Sequence, residues 1–419
     1  MHMYKSLIII FIAAFFPTIA RLQPMPLEAI FDEIALRHPM PAMYDAAIRS
    51  QDEAAAGARA WMAPEAGAGF FMTPYNPRRW KAEGIHGEGM GSFMISAQQF
   101  FPNRKKQDAQ AAYMSAMSGV DRENKKAALN RLWSSAKRNY SEWVVLQKKQ
   151  RVLGDSEQLL QFMIESAELR YRNGLEKINA YYKAKAALSQ LASERLMLEA
   201  DMAQKRIALN SLMNRAPGAP LEIDTFYTQK DYSNLVFDST LLVANRSDIR
   251  AVDREVLVNQ LKITAEQRQL LPEFGIRYDH MFAFGQQPWQ YTLMGMVRLP
   301  LAPWSSGMNK ANMESLKWRN LALHQEKLTR INEAASMAYA MQSEWSFVRR
   351  QIELTEKQIL PALRRNLQTQ QLAYEQNTGE LFMLFDAWEA LNETQMNYYD
   401  QLQKLLLLQT QLEEVLEIR

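Results

Sequence analysis

Residues 271–300 read LPEFGIRYDHMFAFGQQPWQYTLMGMVRLP. Phe274, Ile276, Tyr278, His280, Phe282 and Phe284 fall on one parity, and Gly275, Arg277, Asp279, Met281, Ala283 and Gly285 on the other. Alternation with a period of two marks a strand with unlike faces. Tyr291, Leu293, Gly295, Val297 and Leu299 alternate in the same way with Gln290, Thr292, Met294, Met296 and Arg298. The turn Gln286-Gln287-Pro288-Trp289 separates the two runs, so the stretch predicts a hairpin with strands over about 273–285 and 290–301. A weaker pair is expected at about 65–74 and 88–100, where Phe93, Ile95 and Ala97 alternate with Ser92, Met94, Ser96 and Gln98. Such strands have the length, about 9–11 residues, that crosses a bilayer when tilted. A set of four cannot close into a barrel, and open edges are not tolerated in lipid. A spanning reading therefore requires strands pooled between chains. The rival reading at this point is a soluble sheet packed on a helix.

Working outward, the hairpin belongs to a repeated unit. Residues 246–275 echo residues 38–67. Each is a helix-patterned run stopped by a P-E-x-G break, at Pro64-Glu65-Ala66-Gly67 and Pro272-Glu273-Phe274-Gly275. Proline ends a helix at the preceding residue. Further on, Tyr171-Arg172-Asn173-Gly174 is echoed by Tyr374-Glu375-Gln376-Asn377. Gly and Asn are the residue types that accept a left-handed turn. The chain thus divides into a first repeat over 21–215, a linker over 216–239 and a second repeat over 240–419.

Each repeat carries helices too long for an ordinary domain, expected at about 103–173 and 175–213, then 306–376 and 380–417. Gly and Pro number only 16 each in 419 residues, which permits such runs. Leu381, Leu384, Trp388, Leu391, Gln395, Tyr398, Leu402, Leu405, Gln409, Leu412 and Leu416 follow the 3-4 spacing of a coiled coil. Leu188, Leu191, Arg195, Leu198, Met202, Lys205, Leu209 and Leu212 follow it less purely. The fold class is therefore mainly α within an α+β chain: two long antiparallel helical hairpins and four strands.

Residues 1–20 read as an export signal. Lys5 precedes the apolar run 7–16, which is too short for a spanning helix, and small residues near Ala20 suit cleavage. A formal net charge of +3 argues against a nucleic-acid partner bound by phosphate neutralisation. With no Cys there is no disulfide, thiolate metal site or thiol nucleophile, and no N-terminal Cys to carry a lipid anchor. The motifs of hydrolases, nucleotide binders and zinc proteases are absent, so an enzyme is not indicated and no cofactor is expected. The spacing in Gly87-Glu88-Gly89-Met90-Gly91 precedes a strand and reads as a hairpin feature. His2, His38, His86, His280 and His324 are scattered, without metal-ligand spacing. Met72, Met90, Met94, Met281, Met294 and Met296 are expected on strands, where flexible apolar filling is the first explanation.

Taken together, the repeat, the strands and the hairpins resemble the TolC-type outer-membrane efflux family over about residues 27–417. The residues that carry the resemblance are Ser247-Asp248-Ile249-Arg250, Leu271-Pro272-Glu273, and Val297-Arg298-Leu299-Pro300-Leu301 with its echo Gln98-Gln99-Phe100-Phe101-Pro102. The Tyr171 and Tyr374 turns complete the set. The resemblance implies a homotrimer in the outer membrane of a Gram-negative bacterium. It implies a 12-stranded β-barrel in lipid, a periplasmic α-barrel, and an equatorial belt drawn in part from the 216–239 linker. Partners would be a periplasmic adaptor and an inner-membrane pump, with heavy-metal cation efflux as one branch. The duct would conduct passively. By match, Asn173, Gly174, Leu175, Asn377, Thr378 and Gly379 would form the adaptor-docking tip. Asp386 and Glu380 would stand at a channel constriction, although a second acidic position of the family falls on Met383 and the first-half equivalent on Ala180. Arg277, Asp279, Met294, Met296 and Arg298 would face the barrel lumen. A periplasmic coiled-coil adaptor or scaffold, and the duct of a protein secretion system, are the alternatives.

Overall fold

The computed structural model describes residues 24–81, 89–175, 177–233, 235–236, 238–285, 287–300 and 302–418. The export segment expected over 1–20, the positions His86 and Gly87, and the hairpin positions Gln286 and Leu301 lie outside them. In the first repeat, α1 (Leu27–Arg37) and α2 (Pro39–Gly57) precede β1 (Glu65–Phe71) and β2 (Ser92–Phe101). Then come α3 (Arg104–Arg172) and α4 (Ile178–Leu212). The second repeat runs α5 (Ser239–Asn245), α6 (Ser247–Gln269), β3 (Glu273–Ala283), β4 (Gln290–Arg298), α7 (Pro303–Leu354), α8 (Leu360–Glu375) and α9 (Leu381–Leu416).

Helix α3 has 69 residues, about 100 Å at 1.5 Å per residue. The Asn103 side chain starts it by accepting from Lys105 N at 3.0 Å, a standard N-cap. The single helix expected over 306–376 needs correction. It starts earlier, because Pro303 suits a first helical turn, where its missing N–H is no loss. It is also interrupted by one π-helical turn, Thr355–Ile359, in which Leu360 N–H reaches back to Thr355 O. The cause is Pro361, whose ring cannot continue an α-helical ladder. The wider turn absorbs it, and the axis continues as α8. Two of the six methionines also depart from expectation. Met72 follows β1 with φ 49°, and Met90 lies ahead of β2.

The strands form one antiparallel sheet in the order β1-β2-β3-β4. The sequence predicts the pairs within each repeat. The structure adds a pairing between repeats, β2 with β3, which sets Ser96 opposite Asp279 and Gln98 opposite Arg277. At Gly275 a Cβ would lie 2.8 Å from the Phe100 ring, so only glycine lets that partner ring lie against the sheet.

The apolar interior is three clusters strung along the helices. One joins Ile30, Ile34, Tyr140 and Leu209. A second joins Trp345, Leu405 and Leu412, and a third joins Leu160, Met163, Tyr374 and Leu384. The α9 heptad leucines are all buried. Its polar seam residue Gln409 is buried too, donating to Thr228 O at 3.2 Å and accepting from Lys230 N at 3.2 Å. That position ties the linker to the coil, which explains a glutamine where the pattern favours leucine.

Helix α3 meets α9 along a seam that joins the two repeats. The pairs Lys137–Glu413, Lys149–Asp400 and Ser156–Asn392 cross it in antiparallel order. Glu413 is 2% exposed and also takes hydrogen bonds from Tyr232 and Gln409, with Lys230 Nζ at 3.2 Å. Burial alone would raise the Glu413 carboxyl. The hydrogen bonds from Lys137 and Tyr232, with the charges of Lys137 and Lys230, outweigh it and hold the pKa below the ordinary value of 4.5. A carboxyl depressed by folding contributes stability above its unfolded pKa and loses it as pH falls through the folded one. The Glu413 cluster should therefore be intact at neutral pH and loosen only in acid below the usual carboxylate range. Glu413→Gln leaves Lys137 buried without its anion, and should cost about 3–5 kcal/mol at neutral pH. Thermal unfolding followed by circular dichroism would show this, with the difference between variant and parent shrinking in acid.

Candidate functional site: a two-faced sheet and a pair of turns

The sheet register sorts its side chains into two faces. One carries Ala68, Phe70, Phe93, Ile95, Phe274, Ile276, Tyr278, Tyr291, Leu293 and Val297, as the cross-strand partners show. Of these, Phe70, Phe274, Tyr291 and Leu293 are at least 60% exposed, so the apolar face is uncovered in the single chain. The opposite face carries Ser96, Gln98, Arg277, Asp279, Thr292, Met294, Met296 and Arg298. All five residues expected in a lumen thus share one face. Asp279 is 3% exposed there, and Arg277 Nε donates to its two oxygens at 2.9 and 3.1 Å. Arg298 lies over the Phe100 ring at 4.3 Å and pairs with Glu273 at 3.1 Å. Glu273 also takes Lys106 at 2.8 Å, which fastens the sheet to the start of α3. The sheet has two edges, β1 and β4, each with a neighbour on one side only.

At the far end of the helices the two repeat turns lie together. Gly174 has φ 72° and Asn377 φ 58°. Leu175 N bonds Arg170 O and Gly174 N bonds Tyr171 O, both at 2.9 Å. In the second repeat Thr378 N bonds Ala373 O at 2.9 Å and Asn377 N bonds Tyr374 O at 3.1 Å. Both are the paired 6→1 and 5→2 closure that satisfies the last helical carbonyls, and it requires a left-handed residue at the glycine or asparagine position. Asn173, Gly174, Leu175, Asn377, Thr378 and Gly379 therefore form two equivalent turns. Arg170 joins them. It donates to Tyr374 O at 2.7 Å and to the Asn377 side chain, and its guanidinium stacks on the Tyr374 ring at 4.0 Å.

Glu380 is the N-cap residue of α9, and Asp386 lies one turn and a half further along. Asp386 Oδ1 accepts from Lys183 Nζ at 3.1 Å. The sequence reading missed both Arg170 and Lys183. The repeat held a signal for Lys183, which occupies in α4 the place that Asp386 occupies in α9. Among the described residues, no group of three or more His, Asp or Glu could hold a metal ion, and no helix is long and apolar enough to cross a membrane.

No protein-family model and no curated protein matches the chain. Solved structures do. Outer membrane protein VceC from Vibrio cholerae superposes with a TM-score of 0.71, at 18% identity, over 93% of this chain and 95% of that one. The outer-membrane channel OprN gives 0.73 at 14% identity, over 93% and 89%. CusC, described with transmembrane channel formation, gives 0.73 at 14% identity, over 94% and 92%. The chain has the fold of these three proteins, the TolC-type fold that its sequence resembles.

Arg170→Ala should uncouple the two turns while leaving each helix end closed by its own backbone bonds. Hydrogen exchange followed by mass spectrometry should then show faster exchange at residues 377–379, with the amides of the α3–α9 seam unchanged.

Proposed function

We propose that the protein is the outer-membrane exit duct of a tripartite efflux system, working as a homotrimer. The observation that carries this reading is the sheet: four strands, two edges, one uncovered apolar face and one polar face. In lipid every backbone N–H and C=O needs an internal partner, so the β1 and β4 edges must be paired. Joining β4 of one copy to β1 of the next satisfies both edges with a single head-to-tail contact, and such a contact closes into a ring. Three copies of four strands give 12, within the even-numbered range of outer-membrane barrels. The apolar face then meets lipid, and the face with Arg277, Asp279, Met294, Met296 and Arg298 meets water. The long helices extend the wall about 100 Å away from the membrane.

Conduction in such a duct is passive and needs no catalytic group. Energy comes from an inner-membrane pump through a periplasmic adaptor. The turn end formed by Asn173, Gly174, Leu175, Asn377, Thr378 and Gly379 is the surface this reading gives to the adaptor. Residues 1–20 would direct export, which agrees with an outer-membrane location. OprN, VceC and CusC support the reading by fold, being described as outer-membrane or transmembrane-channel proteins.

Two measurements test it. The purified protein, extracted from outer membranes, should run as a trimer and form ion-conducting pores in planar bilayers. A monomer in the soluble periplasmic fraction would overturn the reading. Separately, Leu293→Arg on the apolar face should cost about 2–4 kcal/mol near the bilayer midplane and reduce trimer recovered from membranes. Thr292→Arg, one residue away on the polar face, should leave recovery unchanged.

A further inference from the structure

The two repeats carry opposite charges at equivalent places around their turns. Arg172 is the last residue of α3 and Glu375 the last of α8. Lys177 is the N-cap residue of α4 and Glu380 that of α9. Lys183 follows the first residue of α4 by five, and Asp386 follows that of α9 by five. At all three places the first repeat is basic and the second acidic. Lys183 and Asp386 meet directly, Nζ to Oδ1 at 3.1 Å. The ammonium is further held over the rings of Phe382 at 4.2 Å and Phe385 at 4.1 Å. Cation–ring contact fixes a lysine where it would otherwise sample solvent. The lysine therefore stays beside the carboxylate.

We infer that Lys183 is a selectivity-determining residue of the duct. It cancels the Asp386 charge, so the turn end of the channel is a ring of alternating sign with little preference between cations and anions. The inference rests on the duct reading, with the channel constriction that the resemblance implies at Asp386 and Glu380. A ring of like charges selects ions by concentrating the opposite sign. With three Lys183 among three Asp386, that concentration is lost. Removing one member of each pair restores it, with a sign set by the member left behind.

The test is the reversal potential of single trimers in a potassium chloride gradient across a planar bilayer. The native protein should show a permeability ratio near one. Lys183→Gln should shift the ratio toward potassium by at least about fivefold, the weight that each of the three uncompensated carboxylates carries at about 4 Å in water. Asp386→Asn should shift it toward chloride by a similar factor, and the double variant should return near the native ratio. Lys183→Arg, which keeps the charge, should behave as the native protein. Both residues are partly exposed, so each variant leaves the apolar cluster beneath intact. Conducting pores with one common ratio in all five proteins would overturn the inference and leave the duct reading standing. A native protein that forms no pore would overturn the duct reading itself.

Discussion

The seam between α3 and α9 is the contact on which the other levels of the molecule depend. It joins a helix of the first repeat to a helix of the second, over a length no single apolar cluster could hold in register. Leucines alone would let two coils slide by a heptad, since every heptad offers the same surface. The polar pairs Lys137–Glu413, Lys149–Asp400 and Ser156–Asn392 remove that freedom, because a slip would strand charges against apolar neighbours. Glu413 is the most demanding of these. Its carboxylate is buried and gathers Lys137, Tyr232, Gln409 and Lys230, so α3, α9 and the linker are fixed at one point.

Register at the seam sets register at both ends. Toward the sheet, it lets β2 of the first repeat pair with β3 of the second, so two hairpins become one four-stranded wall. Lys106 and Glu273 tie that wall to the start of α3. Toward the turns, it brings Gly174 and Asn377 to one level, where Arg170 can span from one to the other. The same alignment places Lys183 beside Asp386. Two halves with matching turns could have carried like residues at like places. Here the halves differ in charge and share the turn chemistry, since the left-handed residue is imposed by backbone geometry and the charge is not.

Much of this was legible in the residues. The alternation over 273–298 gives strands because a pleated chain exposes successive side chains to opposite sides. The heptads of α9 give a coil because 3-4 spacing makes one apolar stripe, and the structure buries those leucines. Gly174 and Asn377 mark the turns because few other residues accept positive φ. Parity alone set Arg277 with Asp279 on β3, and Met294 with Met296 and Arg298 on β4; the β3–β4 register puts both sets on one face. The π turn before Pro361 was not legible in detail. Proline announces a disturbance, but whether the helix kinks, ends or widens depends on what packs around it.

By itself, the sequence determined periodicity and turn chemistry, both properties of neighbouring residues, and showed the Tyr171 turn echoed at Tyr374. Those specify strands, long helices, two matching turns and unlike sheet faces. Only the tertiary structure decided which elements of one repeat touch the other. The β2–β3 pairing, the enclosure of Glu413, the Arg170 bridge and the Lys183–Asp386 pair each join residues far apart in the chain. No local pattern encodes such partners, because an exposed lysine and a paired one have the same neighbours in sequence. The difference lies in where a second helix, more than a hundred residues away, presents its carboxylate.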